Sequence, residues 1–166
     1  MARKHPWVFS GAIQQMPKDI QDGDLVDVWS YDMKYLGTGH YQGGGSIAVR
    51  VISFTKRTID QSFWNDIVLN AKVFRQSLGI PSSQTDTYRL LHGEGDGIPG
   101  LIIDIYHHIA VIQCHSIGTH MAAEMIGQAL ISIFAGELDT IYLRCKETLP
   151  ENYGSKVSDL FLVGQC

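Results

Sequence analysis

The chain is predicted to be α+β: a small β-barrel with one long helix, followed by a small strand–strand–strand–helix–strand domain. Three observations predict this. Short apolar runs recur about every ten residues between Gly-rich breaks in the first third of the chain, the spacing of a small barrel. One long stretch then repeats apolar residues at helical spacing. Beyond it, strand-like runs bracket a second helical stretch, the pattern of a helix packed on one sheet face. With 166 residues, 45% hydrophobic and 18% charged, the chain can bury a core and is not of the disordered type. That length suits one medium domain or two small ones.

Residues 3–13, RKHPWVFSGAI, are odd in composition. Two cations and a histidine run into Pro6, Trp7, Val8 and Phe9, then the small pair Ser10 and Gly11. Pro before the aromatics and Gly after them argue against an amphipathic helix. The stretch reads as a short, rigid, buried turn, with Trp7 in the core and positive charge at its outer end.

Residues 14–57 read as short strands. Asp22-Gly23-Asp24 marks a turn before Leu25, Val26, Val28 and Trp29. Residues 31–34 form a hairpin loop, and Tyr35 to Tyr41 a strand interrupted by Gly37 and Gly39. After Gly43-Gly44-Gly45, residues 46–54 make a third strand, with Ile47, Val49 and Val51 on one face and Arg50 facing outward. Residues 60–78 form the clearest helix. Phe63, Ile67, Ala71, Phe74 and Leu78 make its stripe, Asp60 or Thr58 caps its start, and Gly79 and Pro81 end it. Residues 81–86 contain no apolar side chain beyond Pro81 and read as a linker.

The second unit opens with a strand at 88–92 and the loop GEGDGIPG at 93–100. Strands at 101–106 and 109–115 meet at a turn carrying His107 and His108. A helix over 118–135 has a wide stripe of Met121, Ala122, Met125, Ile126, Ala129, Leu130, Ile133 and Phe134, and residues 140–144 return as a strand. The pattern fades after 146, and 159–163 reads as a strand only begun. The expected organisation is 1–80 for the first domain, 87–145 for the second, and 146–166 as a connection to something further.

Net charge is −4, but it divides unevenly: residues 1–60 sum to +1 and residues 61–166 to −5. A nucleic-acid surface needs a local basic patch rather than a basic total. The candidates are Arg3, Lys4 and His5, then Arg50, then Lys56 and Arg57. Tyr31 and Tyr35, at the hairpin, are the expected stacking rings. About three to five phosphate contacts are available on this reading, so affinity should be weak and salt-dependent.

Other chemistries are disfavoured. The 93–100 loop precedes a strand and carries Glu94 and Asp96, which would repel a phosphate; its glycines read as tight-turn residues. His107 and His108 diverge in a turn, and His115, His120 and Cys114 match no three- or four-ligand spacing, so no metal is expected. Glu94 and Asp96 are a lone carboxylate pair with no nucleophile, so no catalytic residue is assigned. No G-x-G-x-x-G follows a strand, so no cofactor residue is assigned. Cys114, Cys145 and Cys166 form no C-x-x-C and read as reduced thiols of a cytoplasmic protein. No apolar run approaches the roughly 20 residues that span a bilayer, so no membrane partner is expected.

RKHPWVFSGAI at 3–13, a small barrel, and then YRLLHGEGDGIPGLIIDIY at 88–106 together resemble the first part of the PUA-containing class of S-adenosylmethionine-dependent 23S ribosomal RNA cytosine-5 methyltransferases. The resemblance implies a PUA domain first, containing Arg3, Lys4, His5, Pro6, Trp7 and Phe9. It implies a small α+β domain next and a Rossmann-like methyltransferase domain last. The cofactor loop, catalytic cysteine and aspartate-proline motif of that class have no counterpart here, so the expected role is RNA recognition, with S-adenosylmethionine held by a domain this chain lacks. Family members carry a strand ahead of the basic segment, which the sequence here does not show. A stand-alone RNA-binding module and, given the acidic second unit, a protein-interaction domain are the alternatives.

Overall fold

The computed structural model describes residues 5–165. Two antiparallel-dominated sheets carry the chain. The first has β1 (Trp7–Phe9), β2 (Leu25–Trp29), β3 (Tyr35–Tyr41) and β4 (Ile47–Ser53) in the order β1-β4-β3-β2, every pair antiparallel. β1 and β2 are its two edges, so the described strands form an open sheet rather than a barrel closed by a hydrogen-bonded ladder. Residues 3–13 were expected as a buried turn. Those described form a strand instead, with Pro6 O accepting from Val51 N at 2.7 Å and a 3-10 turn at Ser10–Ala12.

The β2–β3 hairpin follows its side chains. Ser30 Oγ accepts from Lys34 N at 3.0 Å and donates to Asp32 at 2.6 Å, which closes the loop. Gly39 is required by packing: a Cβ there would overlap the Arg50 backbone, because β3 and β4 coil tightly against each other. β4 is buried on both faces, Ala48, Val49, Val51 and Ile52 all being 5% exposed or less. The expected split into an inner and an outer face therefore does not hold there.

Helix α1 (Gln61–Ser77) starts at Asp60, whose carboxylate accepts from Phe63 N at 3.1 Å. Its buried residues are Phe63, Trp64, Val68 and Ala71. Phe74 and Leu78, expected in the stripe, are 52% and 58% exposed. The reason is what the helix packs on. Its main neighbours are helix α3 (Ala123–Phe134) and strand β5 (Thr87–His92), which belong to the second half of the chain. They bury Phe63 and Ala71 of the expected stripe, add Trp64 and Val68 beside them, and leave its far end, Phe74 and Leu78, exposed.

The second sheet runs β5, β6 (Leu101–Tyr106), β7 (Ile109–Cys114), β8 (Thr140–Arg144), β9 (Leu160–Val163) in sequence order. Only β7 and β8 are parallel; the helical segment between them makes the crossover. That segment is α2 (Ile117–Met121) and α3, separated at Ala122, where one helix was expected. Ser116 caps α2 through Thr119 N. Residues 146–166 were expected as a connection; those described instead fold into the short α4 (Glu151–Gly154) and β9, which pairs with β8. The core lies between this sheet and the α1–α3 layer: Trp64, Leu90, Leu101, Ile103, Ile112, Ile126, Leu130 and Ile141 are all fully buried. Each is worth about 1.5–3 kcal/mol of transfer free energy. Ile52 of β4 and Phe63 join the same cluster, which ties the first sheet to it.

Candidate nucleic-acid interface

Strand β1 begins the site. Alternate residues on a strand share a face, so the rings of His5, Trp7 and Phe9 line up along one side. His5 lies 5.4 Å from Trp7 and 6.2 Å from Phe9, and Trp7 lies 6.4 Å from Phe9 edge to face. Trp7 N donates to His5 Nδ1 at 3.1 Å. Phe9 is 48% exposed and Trp7 only half-buried. The expectation that Trp7 plugs the core is thus corrected: β1 is an edge strand, on which Trp7 is only partly buried and Phe9 is open to solvent.

Register places Arg50 opposite Trp7, and His40 on β3 opposite Arg50. This row faces the second half of the chain. Trp7 Nε1 donates to Glu94 Oε1 at 2.9 Å. His40 packs on Gly118 of α2, and Gln42 Oε1 accepts from Ile117 N at 3.1 Å. Arg50 was expected to point to solvent. It points instead into the joint between the halves, and its Nη1 is buried with no hydrogen-bond partner among the described residues. Burial draws the Arg50 pKa below its ordinary value, and the charge of Glu94 opposes that. Trp7, Ile47, Arg50, His92, Glu94 and His115 line a cleft of about 290 Å³ here. Burial also lowers the His115 pKa, which keeps the ring neutral near pH 7.

The 93–100 loop builds the other wall. It is the tight turn expected, with φ of 48° at Gly93, 82° at Gly97 and 80° at Gly100. Its carboxylates have structural work that no local pattern announced. Asp96 accepts two bonds from Arg75 of α1, at 3.2 and 2.7 Å, and one from His92 N at 2.6 Å. Glu94 holds Trp7. Sequence reasoning missed both, because their partners lie 21 and 87 residues away.

The hairpin gives a second group. Lys56 Nζ sits 4.9 Å from the Trp29 ring centroid and 6.0 Å from that of Tyr35, and the two rings meet edge to face at 5.5 Å. Tyr35 shares a 2.6 Å hydrogen bond with Thr38, which donates to Asp27. Tyr31 is 92% exposed. Arg57 is engaged by Asp66 at 2.8 Å and lies 5.2 Å from the Phe63 ring. Arg3 and Lys4 lie outside the described residues. The structure therefore divides the expected site residues: His5 exposed beside Trp7 and Phe9, Arg50 at the joint, Tyr31, Tyr35 and Lys56 around the hairpin, and Arg57 held by α1.

The remaining candidates are accounted for structurally. His107 and His108 do not diverge, their ring centroids being 3.7 Å apart, and they are held by Asp86 and Glu137 O. Among the described residues, no group of three or more His, Cys, Asp or Glu comes together to hold a metal ion. Cys114 and Cys145 are fully buried, and burial pushes their thiols up to about 12 and about 11. Neither offers a thiolate at neutral pH. No described helix is long and apolar enough to cross a membrane.

The class comes first from the N-terminal residues: a family profile for a PUA-like domain matches residues 1–54. Whole-chain comparison then goes further. The chain is 34% identical over 158 residues to "Ribosomal RNA large subunit methyltransferase I" of Vibrio vulnificus (strain CMCP6), covering 93% of this chain and 40% of that protein. It is 35% identical over 159 residues to the protein of the same name in Aeromonas salmonicida, covering 93% and 40%. The Pseudoalteromonas atlantica protein of that name is 35% identical over 156 residues, covering 91% and 39%. The chain thus spans about 40% of the length of the curated relatives it matches. A solved structure described as a SAM-dependent methyltransferase from Streptococcus mutans superposes with a TM-score of 0.76 at 19% identity, covering 97% of this chain and 39% of that one. At that identity the likeness is one of fold.

Proposed function

We propose that these residues are the RNA-recognition part of an S-adenosylmethionine-dependent enzyme that methylates cytosine C5 in 23S ribosomal RNA in the cytoplasm, residues 1–80 acting as the PUA-like unit. The observation that carries the reading is the 34% identity, across 93% of the chain, to proteins named for a large-subunit ribosomal RNA methyltransferase. The geometry supports it with exposed rings beside cations, the means by which proteins hold unpaired RNA. Arg3, Lys4, Lys56 and Arg57 supply positive charge, His5, Tyr31 and Tyr35 supply rings, and Arg50 supplies a hydrogen-bond donor at the joint rather than a phosphate contact. Phosphate contacts position the RNA, and ring contacts select its unpaired segments.

S-adenosylmethionine does not fit the described residues. The Gly-rich 93–100 loop runs into a strand, not a helix, and both its carboxylates are engaged by Trp7 and Arg75. The second sheet has a single parallel pair, whereas a nucleotide-type site forms where several parallel strands end. No step of methyl transfer is assigned to these side chains.

A gel shift of the 166-residue chain with large-subunit rRNA fragments tests the reading. Binding is expected at low salt and should fall steeply as salt rises, with a log–log slope near −0.9 per phosphate contacted. No shift at low salt refutes RNA recognition by this chain. Calorimetric titration with S-adenosylmethionine should give no heat; a binding isotherm would refute the placement of the cofactor outside these residues.

A further inference from the structure

We propose that the cleft between β1–β4 and the 93–100 loop holds one unpaired nucleobase of the bound RNA. The inference rests on the RNA-binding reading above and adds to it a position and a ligand chemistry. Four observations carry it. First, Arg50 lines the cleft, and its guanidinium forms no hydrogen bond or ion pair among the described residues. A ligand acceptor in the cleft would supply the partner it lacks. Second, the cleft is amphipathic. Trp7, Ile47 and Ile102 line it together with Arg50, His92, Glu94 and His115. Third, its charge is balanced. Arg50 is offset by Glu94, and His115 stays neutral, so a phosphate would meet a carboxylate as well as a cation. A nucleobase, which carries acceptor carbonyl or ring nitrogens beside N–H donors, uses both. Fourth, at about 290 Å³ the cleft suits a single small ring system, below the range of drug-sized sites. The exposed His5 and Phe9 rings continue along the same face of β1 as Trp7, so the neighbouring nucleotides have rings to lie on.

Fluorescence anisotropy on the 166-residue chain tests this, with a labelled single-stranded RNA of mixed sequence and a fully paired hairpin of matched composition. The single strand should bind more tightly than the hairpin. Arg50→Gln should weaken single-strand binding about tenfold, the effect of one hydrogen bond to a charged donor. It should leave hairpin binding and the salt slope of the single strand unchanged. Arg50→Lys should not restore affinity, since a point charge cannot reproduce the planar fork. Thermal melting of both variants checks that they fold. As a measure independent of substitution, ultraviolet cross-linking of 4-thiouridine-containing RNA to the unaltered chain should label peptides containing Trp7 or residues 93–102.

If Arg50→Lys restores binding and Arg50→Gln lowers the salt slope by about one contact, the group held is a phosphate and the proposal falls. If the chain binds RNA but Arg50→Gln binds as well as wild type, or cross-links map only to the hairpin around Tyr31 and Lys56, the cleft is refuted while RNA recognition stands. If the unaltered chain binds neither RNA at any salt, both readings fall together.

Discussion

Acidification should loosen the contact between the first sheet and α2, and His40 is the group that senses it. The ring is 4% exposed, its Nδ1 has no hydrogen-bond partner among the described residues, and it lies against Gly118. Burial pulls its pKa from 6.5 to about 4, because a charged imidazolium in that position loses its hydration and gains nothing in return. The folded pKa is therefore below the unfolded one. As pH falls through 6.5 the unfolded chain takes up a proton that the folded chain refuses. Stability is thus lost between about pH 6.5 and about pH 4 and is level below that. At about 1.36 kcal/mol per unit, the full interval amounts to about 3 kcal/mol. Urea unfolding across that range, for the wild-type chain and for His40→Gln, measures it. His115 and His120 also have pKa values lowered by burial, and they contribute to both proteins. The difference between the two pH profiles therefore isolates His40, and it should approach about 3 kcal/mol at the acid end. Parallel profiles would refute the reasoning, because they would mean that His40 protonates as readily in the fold as out of it.

Three further outcomes are expected. Gly118→Ala places a Cβ inside the His40 ring and should cost about 1–3 kcal/mol by overpacking, measured by the urea midpoint. Trp64→Ala, at a fully buried position, should cost about 3–5 kcal/mol, whereas Phe74→Ala, at a position 52% exposed, should cost less than about 1; equal losses would mean that α1 packs on the seam expected from spacing alone. Arg75→Ala should cost about 3–5 kcal/mol by leaving Asp96 unpaired, since both side chains are 15% exposed or less; Arg75→Ala with Asp96→Asn should recover part of that loss in a double-mutant cycle.

Local elements were largely legible. The alternation in residues 25–29, the Gly-rich breaks before β4 and the turn at His107 all set strand limits to within a residue or two. Asp60 announced the start of α1 because a carboxylate at that position can accept from the first free amides of a helix. The α1 face was legible in part: Phe63 and Ala71 are buried as expected, whereas Trp64 and Val68 were missed and Phe74 and Leu78 are exposed. Both 63-67-71-74-78 and 64-68-71-75 satisfy helical spacing, and only α3 and β5 decide which residues of each are buried. The direction of Arg50 was also hidden. β4 is covered on both sides, and a strand so placed gives up the alternation by which inner and outer faces are told apart. For the candidate site, the sequence marked Arg3, Lys4 and His5 as a basic segment and Arg50 as an outward-facing cation that could join it. It assigned Trp7 to the core, because a tryptophan between proline and glycine looks like packing until the strand proves to be an edge.

By itself, then, the sequence determined where the chain turns, which stretches become strands or helices, and where charge collects. These depend on side chains a few residues apart, on backbone preferences and on apolar periodicity. Only the tertiary structure decided that the 93–100 loop reaches Trp7 and Arg75, and that residues 160–163 add a strand to β8. It also decided that Arg50 and His40 turn inward to the joint rather than outward. Each of these joins residues far apart in the chain. Whether such a pair meets depends on which surfaces two sheets and a helix layer bury together, and no short window of sequence contains that choice.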